Sequence, residues 1–309
     1  MRSLRRLLLV PLVLVLAVFP AHAARLDTSF RFSTLETAHF SLHFHQGLDD
    51  VAAKAAVIAE EVHSPLVRLF GWEPVEKTQV IVADASDFAN GWATVLPRNT
   101  IFIQPVPPEP DSTLTEYDDW LRTILAHEYT HILTNDVNRG YSRITRSIFG
   151  KTLPAGDLLS TALFLSTTPP NIFMPTWWHE GNAVWAETEL TSGGRGRSAW
   201  FQMVYRAAVD EENIPKVSEI NGDVPWWPRG NLPYMFGVRL FSHIREKYGE
   251  EALRQLNSAH SGRFPYAIGT PPEQVSGGLD YAAIYREMTE ELRREQSARI
   301  AQLKTLPVT

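Results

Sequence analysis

Two histidines four residues apart with a glutamate between them, His127-Glu128-Tyr129-Thr130-His131, offer the clearest chemistry in this chain. Imidazole nitrogens are neutral donors near pH 7. At i and i+4 of a helix two of them stand one above the other, within reach of a single cation. Zinc favours such a nitrogen pair together with one further protein ligand and one position open to water. Glu128 lies on the same turn, where a carboxylate can take a proton from that water. The neighbouring residues supply the helix, since Leu121, Ile124, Leu125, Glu128 and Ile132 recur at helical spacing across Trp120–Asn135. A charged helix that binds nothing can carry the same pattern by chance, so the motif by itself leaves both readings open.

A cation held by two imidazoles needs a third donor. The run Trp177-Trp178-His179-Glu180-Gly181-Asn182-Ala183-Val184-Trp185-Ala186-Glu187 supplies one in Glu180. Its apolar periodicity predicts a second buried helix, with Trp177, Glu180, Val184 and Glu187 on one face. Taken together, the two stretches resemble those of the gluzincin metallopeptidases, the peptidase MA-like group, whose paired motifs read H-E-x-x-H and then W-x-x-E-G-x-A. The resemblance implies a zincin-like α+β fold, one Zn2+ on His127, His131 and Glu180, Glu128 as general base, and peptide-bond hydrolysis as the activity. Tyr234-Met235-Phe236-Gly237 fits the Tyr-x-x-Gly of aminopeptidase-type relatives, in which the tyrosine hydroxyl donates to the oxyanion. A tyrosine packed at a helix start is the competing reading of Tyr234. The glycine-x-methionine-glutamate-asparagine box with which aminopeptidases of the group hold a free amine is absent, which favours endopeptidase over aminopeptidase action. Glu187, two turns beyond Glu180 on the same face, is a candidate to accept a hydrogen bond from a ligating imidazole, with a plain surface glutamate as the alternative. Asp136 is read as a cap at the end of the first helix or in the loop beyond it.

A scaffold must carry these side chains. Phe40–His45 alternates apolar and polar residues, which predicts a half-buried strand with His39, His43 and His45 on its solvated face and outside the site. Asp49–Phe70 reads as helical, capped by Asp49 or Asp50, broken in two by Pro65 and stopped by Gly71. Residues 78–83 and 99–104 read as buried strands, with residues 90–93 as a loop or bulge between them. By resemblance, residues 101–104 match the strand at the rim of the cleft whose edge pairs with an extended substrate; an ordinary central strand is the other reading. A proline-rich linker, 105–113, leads to the first motif helix. Residues 136–176 form a long insertion whose apolar stretch 158–165 is far too short to span a bilayer; it can cap the cleft, touch a membrane or partner, or pack, and packing is the favoured reading. Gly181 is expected to let the two motif helices approach closely. The glycine- and arginine-rich run 191–197 reads as a flexible loop and lacks the Lys-Ser/Thr of a phosphate loop. Helices are predicted at 198–209, 232–248 and 279–303, the last one amphipathic and heavily charged. The expected architecture is α+β and zincin-like, a small mixed sheet with helices over 24–115 followed by a mostly α-helical half over 116–309.

The 309 residues, 44% of them hydrophobic, are ample for a sizeable core. Residues 1–23 stand apart. Arg2, Arg5 and Arg6 precede an apolar run, 7–19, and Ala21-His22-Ala23 is a small-x-small cleavage site, which together predict a secretory signal peptide and a soluble periplasmic or secreted product. The absence of cysteine rules out disulfides and a lipid on a leader cysteine, and it does not argue against the periplasm. Loss of the three leader arginines moves the formal charge from −6 to −9, which speaks against nucleic acid and anionic membrane surfaces as partners. The expected partner is a peptide or protein substrate. A weakly catalytic or non-catalytic zinc-binding envelope factor that holds unfolded or assembling proteins is the alternative, and the intact Glu128 favours the enzyme.

Overall fold

A computed structural model describes residues 27–263 and 270–306; the leader and its cleavage site lie outside them. The fold is α+β, with a small mixed sheet on the N-terminal side and a mostly helical half after it. Five strands, β1 (Phe32–Glu36), β2 (Phe40–His45), β3 (Thr78–Val82), β4 (Asn90–Thr94) and β5 (Thr100–Gln104), line up in the order β1-β2-β3-β5-β4. The outer pairs are antiparallel and the inner pairs, β2 with β3 and β3 with β5, are parallel. Alternation decides the faces. Phe40, Leu42, Val80, Val82, Ile101 and Ile103 point into the core. On the opposite face His43 joins Gln79 at 2.8 Å and Thr34 at 2.9 Å, so its imidazole serves the sheet.

Helix α1 (Asp49–Phe70) links β2 to β3 and runs unbroken through Pro65. Leu48 takes the N-cap position, with Asp49 and Asp50 in the first turn where the helix dipole favours carboxylates. The expected break at Pro65 is absent: a proline forfeits one backbone bond, and Leu66 and Phe70 beyond it are fully buried, which holds the last turn in place. Residues 90–93, expected as a loop, form β4. Trp92 stacks on Phe102 of β5 at 5.7 Å, and the antiparallel register from Asn90↔Gln104 to Thr94↔Thr100 overrides the weak strand preference of Asn and Gly.

Two helices carry the motifs, α2 (Trp120–Asn135) and α5 (Thr176–Leu190). Between them lie α3 (Gly140–Phe149) and α4 (Leu158–Thr167); after them come α6 (Ala199–Asp210), α7 (Leu232–Tyr248), α8 (Glu251–Ser261), α9 (Thr270–Ser276) and α10 (Tyr281–Leu303). One buried cluster extends from Phe40 and Leu42 through Leu125 and Trp178 to Phe241 and Leu292, so sheet and helices share a core. Helix α2 sits at its centre, buried on nearly every side. Asp119 caps its N-terminus by accepting from the Arg122 amide, and Trp120 Nε1 donates to the Gln104 carbonyl, tying the helix to the end of β5. Thr130 and Thr134 satisfy their buried hydroxyls on the carbonyls of Ala126 and Thr130.

Candidate metal centre

Helices α2 and α5 bring His127, His131 and Glu180 together at the wall of a cavity of about 490 Å3. Glu180 Oε2 lies 3.3 Å from His127 Nε2 and 3.6 Å from His131 Nε2. The two imidazole planes cross at 85°, so their in-plane lone pairs can converge on one point. Burial works against a charge on Glu180, yet the two facing histidines hold its carboxyl well below the usual carboxylate range. His127 is opposed in the same way by burial and by Arg195, but Glu180 and Glu187 raise it to about 9. Glu180 Oε2 is buried and finds no hydrogen-bond donor among the described residues. An orphaned carboxylate oxygen facing two imidazole nitrogens is a donor set that fits a divalent cation.

The remaining sequence-predicted residues fall around this point. Glu128 is buried in the same cavity, its carboxyl raised above the usual range by burial, against the pull of His127 and His131. Glu187 Oε2 lies 2.8 Å from His127 Nδ1, where a carboxylate can only accept, so the pair favours a proton on Nδ1 with Nε2 turned to the cavity; Arg195 Nη2 stands 2.8 Å from the same nitrogen. Tyr234, at the first turn of α7, lies with its ring 6.4 Å from that of His127, and burial pushes its hydroxyl up to about 12. Asp136 is held elsewhere: it accepts from Arg146 at 2.6 Å, Lys151 at 2.9 Å and Trp72 at 3.2 Å beyond the end of α2.

Two participants are not apparent from sequence reasoning. Arg195, in the run expected to be a flexible loop, is half-buried, and it grips Glu187 through its backbone N, Nε and Nη2, each at 2.9 Å. Its guanidinium also lies 4.8 Å from the centre of the Tyr234 ring. The glycines around it serve close packing: a Cβ on Gly194 would stand 2.5 Å from Thr188 Cα. No sequence signal pairs Arg195 with Glu187, because the pairing depends on the chain folding back along α5. His179 lines the cavity next to Glu180, and burial with the nearby His131 lowers it to about 4, so it is neutral at pH 7.

The glycine after Glu180 serves a different neighbour from the one expected. A Cβ on Gly181 would lie 2.6 Å from the backbone carbon of Gly237, and one on Gly237 would lie 2.5 Å from the Trp177 carbonyl oxygen. Gly181 therefore seats α5 on α7, the helix of Tyr234, and not on α2. The strand over the cavity also differs. Residues 101–104 belong to β5, whose ladder is taken on both sides by β3 and β4, whereas β4 is the edge. Asn90, Gly91, Trp92 and Ala93 line the cavity, and a Cβ on Gly91 would come within 2.9 Å of Glu128 Oε1.

A second group, His39, His63 and Glu73, also gathers ligand atoms. Its imidazoles stack at 3.7 Å with planes 15° apart, so their lone pairs run side by side instead of meeting. Neither a scan against protein-family models nor a search of curated proteins finds a match to this chain.

Proposed function

We infer that the chain is a zinc-dependent metallopeptidase of gluzincin type that hydrolyses peptide bonds in the cell envelope, as an endopeptidase rather than an aminopeptidase. The observation that carries this reading is the convergence of His127 Nε2, His131 Nε2 and Glu180 Oε2 beside a buried Glu128 in one cavity. A zinc ion on those three residues would supply Lewis acidity, polarising a carbonyl and lowering the pKa of a water. Glu187 accepts from His127 Nδ1, which leaves Nε2 for the metal, and Arg195 holds the Glu187 carboxylate in place. Glu128, with its proton affinity raised by burial, is suited to take a proton and deliver it to a leaving amine. Tyr234 keeps its proton at neutral pH and has it to donate to a developing oxyanion. The open edge of β4 offers backbone groups to an extended peptide laid along the cavity.

The test combines metal analysis of the purified protein with cleavage of casein and of a peptide library. Wild type should carry one zinc and cut internal bonds. Glu128→Gln should keep the zinc and lose cleavage; a mutant that cuts as well as wild type removes Glu128 from its role.

A further inference from the structure

The insertion between the motif helices forms a hairpin, α3 against α4, and its apolar residues are not packed as expected. Leu158 is 87% exposed, Leu159 70%, Ile148 68% and Ile144 64%, with Phe149, Leu153 and Leu165 also exposed. Surface leucines scattered singly need no explanation, but seven large apolar side chains left exposed within one hairpin mark a place where something docks. Two further features say what kind of surface it fits. Every serine and threonine of α3 and α4 turns its hydroxyl back to a nearby carbonyl: Ser142, Thr145 and Ser147 in α3, and Ser160, Thr161, Ser166 and Thr167 in α4. Such internally satisfied hydroxyls leave water at low cost. Helix α4 itself contains no charged residue.

Charge gathers on the other side of the hairpin. Arg139 and Arg143 lie one turn apart, on a different face of α3 from Ile144 and Ile148, and neither forms an ion pair among the described residues. Arg146 and Lys151 are engaged by Asp136, and Lys151 also donates to Asn99, which ties the connection between α3 and α4 back to the end of α2 and the start of β5. All four basic residues line a cavity of about 630 Å3, whose wall also carries Glu73, Glu76 and Asp136. The chain as a whole is acidic, at −6, whereas residues 139–168 carry Arg139, Arg143, Arg146 and Lys151 against Asp157 alone, a basic segment beside its exposed apolar residues. Ten-residue helices cannot span a bilayer, and no described helix is long and apolar enough to do so. They are suited to lie in the interface.

We propose that the α3–α4 hairpin docks on an anionic bilayer surface, sinking Ile148, Leu158 and Leu159 among the acyl chains while Arg139 and Arg143 meet lipid phosphates. This assignment does not depend on the metal centre. It is tested by sedimentation with vesicles of phosphatidylcholine alone and with one part in three phosphatidylglycerol. Wild type is compared with Leu158→Glu/Leu159→Glu and with Arg139→Glu/Arg143→Glu, the fold of each checked by circular dichroism. The leader's apolar run is common to all three proteins, so differences between them report the hairpin. The leucine pair should lower partitioning onto the anionic vesicles at least tenfold, and the arginine pair should abolish the preference for them over neutral vesicles. Equal partitioning of wild type and the leucine variant overturns the proposal. So does a dimer, seen by light scattering, that the leucine variant dissolves without any vesicle binding by wild type. Stabilisation by inorganic phosphate that needs Arg139 and Arg143, with no vesicle binding, reduces the site to a free anion pocket and overturns it as well.

Discussion

Replacing Gly181 by alanine tests the geometry most directly, because the added atom meets backbone and cannot be accommodated by a side chain turning away. The new Cβ would stand 2.6 Å from Gly237 C, and ordinary contact begins at 3.4 Å, so α5 and α7 must part by about 0.8 Å. Overpacking of this kind costs about 1–3 kcal/mol. Alanine's better helix propensity returns about 0.8–1.0 kcal/mol. The net loss is about 1 kcal/mol, a fall in melting temperature of roughly 2–4 °C. The effect on the site should be much larger, since a misplacement near 1 Å can cost about 100-fold in rate. Thermal melts, zinc affinity and peptide cleavage on one preparation read the three consequences. If α5 yields, Glu180 leaves the imidazoles and zinc affinity falls; if α7 yields, zinc stays and cleavage falls as Tyr234 moves. Gly237→Ala should behave alike, and the double variant should cost less than the sum, because helices already parted have room for the second methyl. An unchanged melt with unchanged zinc affinity and cleavage, or strict additivity, would refute the contact as described.

Other outcomes follow from the same coordinates. Glu180→Gln should lower zinc content measured by elemental analysis while leaving the helical circular dichroism unchanged. Tyr234→Phe should keep its zinc and lower kcat by a factor equivalent to about 3 kcal/mol, with less effect on KM. Glu187→Ala removes the fully buried carboxylate of the Arg195 pair and should destabilise by about 3–5 kcal/mol in urea melts while weakening zinc binding 10- to 100-fold. His260, buried and accepting from or donating to the Tyr281 hydroxyl at 2.9 Å, is lowered by burial to about 3. Its folded value lies below the unfolded one, so the unfolded chain binds the proton first. The contribution is whole above pH 6.5 and fades as the pH falls towards 3, by about 1.4 kcal/mol per unit. Urea midpoints at pH 7.5 and 5.5 should therefore differ more for wild type than for His260→Gln.

Sequence spacing located the parts of the site that lie on single helices. His127 and His131 follow from the 3.6-residue repeat, and Glu187 from two turns beyond Glu180, because local geometry alone sets those relations. The strands of the core were likewise readable where alternation was clean, as in β3 and β5. What escaped depends on chain segments distant in sequence. β4 is a strand because β5 lies beside it, and its own residues favour a turn. Gly181 reads as a close-approach position, but which helix approaches is settled only by the fold. Arg195 looks like part of a glycine-rich loop until the chain returns along α5 and seals it against Glu187. The exposed leucines of α4 look like core residues, since apolar periodicity reports hydrophobicity and cannot report what, if anything, covers it.

The bare glycine of β4 against the Glu128 carboxylate has a consequence for anyone wishing to redesign selectivity. A methyl there would press on the ends of two side chains, Glu128 and Ile124, so any larger group shifts the carboxylate as it reshapes the cavity. Its neighbours Asn90 and Trp92 line the same hollow, and variation there can reshape it without crowding that carboxylate.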